Sequence, residues 1–358
     1  MPVELIGWVH HRIDSELLGR QGPVFDRNAI ESAARVHEAA GFDTALVGYF
    51  SGAPDGFLVA AHAATVTTRL RFLIAHRPGF VAPTVAARKF ATLDQLTDGR
   101  TAVHLIAGGS QAEQAADGDF ADHDTRYARM GEYVDVMERA WTSKGPFDFS
   151  GEHYNVTGGH SDIRCAQQPH IPVFGGGGSP AAIAVLAPRA DVFMLWGEPL
   201  ADTAAFMDRV RAAGGNRARP ITFSVSTRPI VAETEAQAWD KAHAVLAGVT
   251  ARGTGRYNHK PENAGSQRLL EAAARKEIHD TCLWMPLATA TGAGGNSTAL
   301  VGTPETVAQA LFAYYRIGAS RILIRGWDPL PDAELYGREV IPRLRELVAR
   351  HDRAAGAG

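Results

Sequence analysis

The chain of 358 residues is 45% hydrophobic and 21% charged, which is typical of a soluble globular protein with room for a substantial core. Its formal net charge of −3 argues against a chain-wide basic surface for nucleic acid or membrane, and no apolar run reaches the ~18 residues of a membrane span. The amino terminus shows no signal-peptide pattern, and Cys165 and Cys282 share no metal-ligand spacing, so we expect a cytoplasmic protein without a metal site.

Short apolar runs recur along the chain and predict strands buried on both faces, as in a parallel sheet. The predicted strands cover residues 3–9, 44–48, 71–76, 101–107, 172–176, 192–197, 221–231 and 321–326. Helical patterns lie between them. The first, RNAIESAARVHEAAGF, ends with Gly41 in a C-cap position, and the last begins after Thr303 and ends with Gly318.

Eight strands in β-α order predict an α/β fold, a (β/α)8 TIM barrel, with an open doubly wound sheet as the alternative. Three segments exceed the usual connection length: residues 108–123, 144–171 and 250–302. The third separates predicted strands 7 and 8 and is rich in glycine, threonine, asparagine and basic residues, which predicts an irregular insertion that is either a mobile lid or disordered. We find no internal repeat and no separate domain, so residues 1–358 are predicted to form one domain.

In barrel enzymes the active site lies at the carboxyl ends of the strands. Those ends carry His10, His11, Tyr49, His76, Arg77, Ala107, Gly108, Gly177 to Ser179, Trp196, Arg228, Arg325 and Trp327. No carboxylate pair, metal triad or obvious nucleophile stands among them. Such a rim suggests that a cofactor performs the chemistry, although His10 and His11 also fit buried strand-end residues.

The stretch VFGGGGSPAAIAVL (173–186) joins predicted strand 5 to a helix through four glycines, Ser179 and Pro180. Glycines allow close backbone approach and a helix start offers free N–H groups, so the turn predicts either tight packing or phosphate binding. Ser179 can cap the helix, bind phosphate or do both. His123 and Tyr127 stand four residues apart at another helix start and can reach one ligand, the alternative being a solvated face or an N-cap by Asp124.

Several segments resemble the reduced-flavin-dependent alkanesulfonate monooxygenases of the bacterial luciferase-like superfamily. They are residues 71–108, FADHDTRYARMGEY, FDFSGEHYNV, FGGGGSPAA, ADVFMLWGEP and STALVGTPETVA, and they occur in the family's order over most of residues 1–345. The resemblance implies a (β/α)8 barrel with a lid after strand 7. It also implies binding of FMN as FMNH2 from a separate NAD(P)H-dependent reductase, use of O2, and release of an aldehyde and sulfite from an organosulfonate.

The resemblance also implies roles for individual residues. His123, Tyr127 and Ser179 match flavin phosphate contacts, and Gly177 and Gly178 lie in the same turn. His104 stands where the family usually has an asparagine beside the flavin, and Ala107 and Gly108 stand where its backbone passes the ring. Trp196 matches a tryptophan on the pocket floor.

Positions implied to contact substrate depart from the family pattern. A family cysteine after strand 2 is Ala53 here, an Arg-x-His near the end of strand 7 is Ser226-Thr227-Arg228, and a tyrosine after strand 8 is Trp327. The family arginine ahead of TALVG falls among residues 292–297. We therefore predict His10, His11, Trp196, Arg228 and Trp327 as catalytic residues, and His76, Arg77, Arg252, Arg256 and Arg325 as substrate-binding residues.

Arg228 carries most of the sulfonate interpretation, because a guanidinium presents forked donors to an anion. Without a substrate anion it needs an acidic partner, and Glu198 and Asp328 are the predicted ones. The alternatives are the same barrel oxygenating a sulfone, an amide or another substrate, an F420-dependent oxidoreductase, a phosphosugar isomerase or lyase, and a flavin-binding relative without catalysis. The family often forms homodimers or homotetramers.

Overall fold

The computed structural model describes residues 2–20, 22–217, 219–253 and 261–356. Within them the strands, in chain order, are β1 (Glu4–Val9), β2 (Thr44–Val47), β3 (Arg71–His76), β4 (Thr101–Leu105), β5 (Phe147–Ser150), β6 (Asn155–Gly159), β7 (Val173–Gly176), β8 (Val192–Trp196), β9 (Thr222–Thr227), β10 (Ile230–Val231), β11 (Ile278–His279), β12 (Leu283–Trp284), β13 (Ala299–Gly302) and β14 (Arg321–Ile324). The helices are α1 (Arg27–Ala39), α2 (Gly56–Ala64), α3 (Pro83–Leu96), α4 (Gln111–Ala116), α5 (His123–Thr142), α6 (Pro180–Leu186), α7 (Leu200–Gly214), α8 (Glu235–Arg252), α9 (Ala264–Arg275), α10 (Pro286–Ala290), α11 (Pro304–Arg316), α12 (Pro329–Leu335) and α13 (Ile341–Gly356), with a π-helical turn at Tyr336–Val340.

Eight parallel strands within this described part close a barrel in the order β1-β14-β9-β8-β7-β4-β3-β2. The predicted (β/α)8 fold is therefore confirmed, and each barrel strand falls within or close to its predicted range. The caps also agree with the prediction. Gly41 follows α1 with φ +83°, and the Thr303 side chain accepts a hydrogen bond from the Thr306 N–H at the start of α11. Asp26, which sequence reasoning had not selected, caps the start of α1.

The chain divides into two compact units of residues. The first unit comprises the residues up to Ala45, Met194–Arg209 and those from Thr222 onward; the second comprises Leu46–Phe193 and Val210–Ile221. In the first unit β1 pairs with β14 and β14 with β9; in the second β3 pairs with β4 and β4 with β7. The prediction that residues 1–358 form one domain stays a prediction.

Helices α3 and α5 pack together in the second unit. Phe90 and Tyr133 are buried, and the indole N–H of Trp141 donates to the Ala87 carbonyl at 2.9 Å. The predicted connection 144–171 contains the antiparallel hairpin β5-β6, whose turn is held by the carboxylate of Glu132. This carboxylate accepts three successive backbone N–H groups at 2.8–2.9 Å, which explains how so short a hairpin is stabilised.

Predicted strand 7 is interrupted. The barrel strand β9 ends at Thr227, and residues 230–231 form β10, which pairs with β13 in a separate four-stranded sheet. Pro229 accounts for the break, because proline lacks an N–H for the ladder and restricts the residue before it. The Arg228 N–H instead donates to the Thr298 carbonyl at 2.9 Å.

The prediction that residues 250–302 are irregular is wrong for residues 264–302. Helix α9, strands β11 to β13 and helix α10 occupy it. Its apolar residues Leu283, Trp284 and Leu287 are buried, and Trp284 and Leu287 share a core cluster with Ala242 and Val245 of α8. Burial of these side chains explains why the segment is regular. Residues 254–260, with Arg256, lie outside the described residues, and lid behaviour stays a prediction.

No helix in the described ranges combines the length and the apolar character that crossing a membrane would require.

Candidate functional site

The glycine-rich turn after β7 leads directly into helix α6. Ser179 is the N-cap of this helix, and its side chain accepts a hydrogen bond from the Ala182 N–H at 3.1 Å. Pro180 occupies the first helical turn, where an N–H would have no intrahelical partner. Ser179 therefore caps α6, as one of the predicted alternatives had it. Phosphate binding by Gly177, Gly178 and Ser179 stays a prediction.

Gly177 lies where this turn meets helix α5. A Cβ atom at this position would overlap the Tyr127 hydroxyl and the Ala182 side chain, so the close approach requires glycine. Tyr127 is buried, and its hydroxyl donates to the Gly176 carbonyl over a long 3.4 Å. Burial raises the pKa of Tyr127 to about 12, so the phenol is a neutral donor. The His123 and Tyr127 rings are 5.0 Å apart, so the structure brings together the two residues that the spacing had paired.

The start of α5 is capped differently from the predicted alternative. Asp122, not Asp124, is the N-cap, and its side chain accepts from the Thr125 N–H at 2.8 Å. Asp124 instead lies 2.6 Å from Nδ1 of the exposed His123. The His123 ring is thereby held near Tyr127.

His104 is a half-buried histidine with one shielded ring nitrogen. It lies on β4 in register with Ala75 on β3 and Phe174 on β7. Its Nδ1 atom is shielded and makes no hydrogen bond to any residue that the structure describes, and burial lowers the pKa of His104 to about 4. A neutral imidazole with a shielded, unpaired nitrogen is suited to a hydrogen bond with a bound ligand.

Gly108 and Gln114 form a second close contact. Gly108 has φ +82°, and a Cβ atom there would overlap the Gln114 side-chain amide. The Nε2 atom of Gln114 is buried and has no acceptor among the described residues. Ala107, which precedes the glycine, is also buried. This strand end thus offers a shielded amide donor beside the half-buried Gly108, and sequence reasoning had not selected Gln114.

Arg77 and His76 face different surroundings. The Arg77 guanidinium lies 2.7 Å from a Glu113 carboxylate oxygen and 3.6 Å from one of Asp117, and it stacks on the Tyr49 ring at 4.5 Å. Two carboxylates already neutralise it.

His76 Nε2 lies 2.7 Å from the Tyr133 hydroxyl, and its ring packs edge-on against Phe90. Burial lowers the pKa of His76 to about 4, as expected for a histidine packed under helices. Substrate contacts by Arg77 and His76 stay predictions.

In the first unit, alternate residues of β1 place Glu4, Ile6 and Trp8 on one face of the strand. The Glu4 carboxylate accepts from the Arg321 Nε on β14 at 2.9 Å, and Arg321 also donates to the Thr222 hydroxyl on β9 at 2.8 Å. Strand side chains alternate with a period of two, so Trp8 and then His10 follow Glu4 on this face. The opposite face meets helix α1, where a Cβ atom on Gly7 would overlap His37.

Arg228 is fully enclosed. Its guanidinium donates to Glu16 Oε2 at 2.8 Å and to the Gly326 carbonyl at 3.0 Å, and it lies 3.4 Å from the centre of the buried Trp327 ring. Its side chain has no exposed surface. Burial, and then the charge of Arg325, lower the pKa of Arg228 to about 10, which still leaves it a cation. The acidic partner is thus Glu16, and neither Glu198 nor Asp328.

Glu16 is shared by a second arginine. Arg325 Nη2 donates to both Glu16 oxygens, at 2.8 and 3.0 Å, and its guanidinium lies over the Trp8 ring at 5.1 Å. Burial alone would raise the pKa of Glu16, but the two guanidinium charges outweigh it and hold that pKa well below its usual range. Two cations and one anion leave a net positive charge, and Arg325 retains partial exposure. Arg325 is therefore the arginine of this cluster with exposed surface, and substrate binding by it stays a prediction.

His10 and His11 lie at the end of β1 with stacked rings, 5.9 Å apart. Nε2 of each ring is shielded and lacks a hydrogen-bond partner in the described part of the chain. Burial, followed by the neighbouring charges of His10 and Arg12, lowers the pKa of His11 to about 4. Both rings are thus neutral candidates for proton transfer.

The inserted segment contributes to the same unit. Trp196, at the end of β8, lies against Gly265 of α9, where a Cβ atom would be 3.0 Å from the indole. Arg252 is the last residue of α8 and is close to Gly19. Near the end of β8, a Cβ atom on Gly197 would be 2.6 Å from the Thr227 methyl group and 2.9 Å from the Thr298 hydroxyl.

Sequence reasoning missed several polar groups in these clusters. Shielded side-chain atoms without a hydrogen-bond partner in the described ranges are found on Gln114, Thr227, Asn296 and Thr298, and Glu16 was not selected either. For Asn296 a signal existed, because it lies within residues 292–297, where the resemblance places an arginine. The others carry no local pattern that separates them from ordinary loop or strand residues.

A family model described as luciferase-like monooxygenase matches residues 4–321. Among solved structures, an EDTA monooxygenase (EmoA) from Chelativorans sp. BNC1 is 18% identical with a TM-score of 0.74, over 97% of this chain and 94% of the other. A riboflavin lyase (RcaE) with modified FMN and riboflavin is 18% identical with a TM-score of 0.78, over 97% and 92%.

The oxygenating constituent of 3,6-diketocamphane monooxygenase from the CAM plasmid of Pseudomonas putida, in complex with FMN, is similar too. It is 17% identical with a TM-score of 0.68, and the match covers 96% of this chain and 98% of the other. At such low identity these structures establish a shared fold.

Proposed function

The chain belongs to the luciferase-like monooxygenase family, and on this premise we propose that it is a flavin-dependent monooxygenase that oxygenates a small organosulfonate. We propose FMNH2 as the form of the cofactor that it takes up, supplied by a separate NAD(P)H-dependent reductase. The products would be an aldehyde and sulfite. A cytoplasmic location and assembly as a homodimer or homotetramer are part of the same proposal.

The cofactor assignment rests on the second unit, whose features fit a flavin. The turn at Gly177 is pressed against Tyr127 so closely that only glycine fits, and Ser179 stands at the helix start that follows. His104 and Gln114 offer shielded nitrogens without partners in the described structure. Ser179, Tyr127 and His123 would hold the phosphate, and His104 with the backbone at Ala107 and Gly108 would face the ring. When bound, reduced FMN supplies two electrons for the activation of O2.

The anion assignment rests on the first unit. Arg228, Arg325 and Glu16 carry a net positive charge, and Arg325 is the partly exposed member. A sulfonate oxygen on Arg325 would be held by a charge-assisted hydrogen bond. Arg228 would hold Glu16 in position for Arg325. It would not contact the substrate itself, because its own guanidinium is enclosed.

A second candidate is a neutral substrate such as a sulfone or an amide. It is favoured by the fact that Glu16 already compensates Arg228, the arginine that the sequence had indicated for anion binding. The shielded groups of Thr227, Asn296 and Thr298 are suited to hydrogen bonds with a neutral polar ligand.

One experiment separates these candidates. Anaerobic titrations with FMNH2, FMN and F420 give the cofactor preference, and we expect the tightest binding for FMNH2. Admission of oxygen with a panel of sulfonates, sulfones and amides then gives the substrate class, with sulfite release as the readout for sulfonates. If the protein binds F420 and neither form of FMN, the monooxygenase proposal is rejected. If it binds flavin but turns over no member of the panel, a non-catalytic relative is favoured.

A further inference from the structure

Three side chains in the loop after β1 form a chain of polar contacts. Arg12 Nε donates to Asp14 Oδ2 at 2.8 Å, and His10 Nδ1 lies 3.4 Å from Asp14 Oδ1. The side chains of His10, Arg12 and Asp14 are 21%, 11% and 18% exposed. Because Arg12 holds one oxygen of Asp14, the other oxygen is fixed in position toward the histidine.

The two nitrogens of the His10 ring are not equivalent. An ionised carboxylate can only accept, so the proton of the neutral ring belongs on Nδ1, toward Asp14, and Nε2 carries a lone pair. Nε2 is shielded and makes no hydrogen bond within the described residues. Burial lowers the pKa of His10, and Arg325 adds to this, whereas Asp14 and Glu16 oppose it. The ring is therefore a neutral base with a free acceptor.

The indole of Trp8 lies beside the His10 ring. The Trp8 ring is 4.8 Å from the His10 ring, and its indole N–H is shielded without a partner in the part of the chain described. Arg325, from β14, lies over the same indole. The His11 ring stacks with the His10 ring at 5.9 Å, and its pKa of about 4 keeps it uncharged near neutral pH. A substrate anion held by Arg325 would thus present its neighbouring atoms to His10.

We propose that His10 Nε2 accepts the proton released in the substrate reaction and that Asp14, fixed by Arg12, positions it. The inference rests on the proposed function in one respect, the substrate class. Oxygenation of the carbon that bears the sulfonate gives a 1-hydroxysulfonate. Its O–H proton passes to Nε2, the O–H electron pair forms the second carbon–oxygen bond, and the C–S pair leaves with sulfur as sulfite. His10 is then an imidazolium, stabilised by Asp14, and returns its proton to water.

The last step is testable without flavin or oxygen, because 1-hydroxysulfonates are the addition products of aldehydes and bisulfite. The acetaldehyde–bisulfite adduct, 1-hydroxyethanesulfonate, is added to the full-length protein with and without FMN, and free sulfite is measured over time. We expect the wild-type protein to accelerate sulfite release by about 10²-fold, the lower range for a positioned base. His10→Asn keeps a donor toward Asp14 but removes the basic Nε2 nitrogen, and it should abolish the acceleration.

Two further measurements separate proton transfer from folding. Added imidazole should restore at least part of the rate to His10→Ala. Asp14→Asn should lower the rate about tenfold or more and move the acidic limb of its pH profile to lower pH, because the carboxylate that raises the histidine pKa is gone. Asp162→Asn is the matched control, since Asp162 pairs with the exposed His160 and should leave the rate unchanged.

The outcomes distinguish this inference from the proposed function. If the wild type oxidises sulfonates but does not accelerate adduct breakdown, or if His10→Asn matches the wild type, the role of His10 is wrong and the monooxygenase proposal stands. If adduct breakdown is accelerated through His10 but no sulfonate is oxidised, the oxygenation proposal fails and the proton-transfer site stands. An Asp14→Asn variant with an unshifted pH profile would overturn the positioning role.

Discussion

Ser179 shows how a single side chain can serve a local and a ligand-binding role at once. Its hydroxyl caps α6 by accepting from the Ala182 N–H, and that bond leaves its own proton available for a phosphate oxygen. A helix start with a hydroxyl and free N–H groups is a common anion site. Replacing Ser179 should therefore affect two separate quantities, protein stability through the lost cap and flavin affinity through the lost phosphate contact.

Ser179→Ala should weaken FMNH2 binding by roughly 1–3 kcal/mol, the range for a lost hydrogen bond to a charged group. Anaerobic titration measures the affinity, and thermal unfolding without flavin measures the lost cap, which we expect to cost about 1 kcal/mol. A lower melting temperature with unchanged flavin affinity would show that the serine is only a helix cap.

Glu16 and Arg228 illustrate an ion pair in which a fully enclosed guanidinium depends on a partly buried carboxylate. Glu16→Gln should lower the free energy of unfolding by about 3–5 kcal/mol, because Arg228 would remain enclosed without its carboxylate. Replacing both, as in Glu16→Gln with Arg228→Met, should cost clearly less than the sum of the single changes.

Chemical denaturation of the wild type, Glu16→Gln, Arg228→Met and the double variant measures this coupling. Glu346→Gln is a suitable control, because its pair with Arg350 is exposed and should be worth less than about 1 kcal/mol. Additive single-mutant effects would mean that the pair is not energetically coupled.

At the level of elements, the inserted segment is attached to α8 by aromatic packing. Trp284 of β12 is buried, its ring is perpendicular to that of Trp239 at 5.9 Å, and its indole N–H donates to Glu277 at 3.0 Å. Large buried rings of this kind carry much of the packing energy of small sheets.

Trp284→Ala should therefore destabilise the protein by about 3–5 kcal/mol, measured by denaturant unfolding. Leu96→Ala, at a helix end where the side chain is 75% exposed, should change stability by less than about 0.5 kcal/mol. A small effect at Trp284 would mean that the insertion contributes little to the folded core.

For the whole molecule, one buried and two half-buried histidines predict sensitivity to mild acid. His37, His76 and His104 have pKa values lowered by burial to about 4, compared with about 6.5 in an unfolded chain. Between these values the unfolded state binds more protons than the folded state, so stability falls as the pH drops through this window.

Denaturant midpoints across this pH range should decline toward acid. His104→Asn should flatten the decline, since it removes one of the groups that bind protons only on unfolding. An unchanged slope in this variant would show that His104 titrates normally in the folded protein.

The flavin should also stabilise the whole molecule, because a ligand that binds only the folded state raises its unfolding free energy. This provides a simple check on the cofactor proposal that does not depend on a substrate.

The amino-acid sequence by itself determined the order and type of the main elements. The strands are short apolar runs, and the helix ends are marked by local chemistry, as at Asp26 and Thr303. These signals are readable because burial and capping depend on residues a few positions apart. The sequence also indicated the turn at Gly177 to Ser179 and the His123–Tyr127 pair, since both are local patterns that resemble those of a known family.

Tertiary structure alone decided which charges meet. Glu16 is 212 positions from Arg228 and 309 from Arg325, and nothing in the local pattern distinguishes it from the other carboxylates. The same holds for the pairing of residues 230–231 with β13, which lies about 70 positions further along the chain. Side-chain partners of this kind follow from how the connections return over the barrel, because an ion pair requires only proximity and burial, which no sequence spacing encodes.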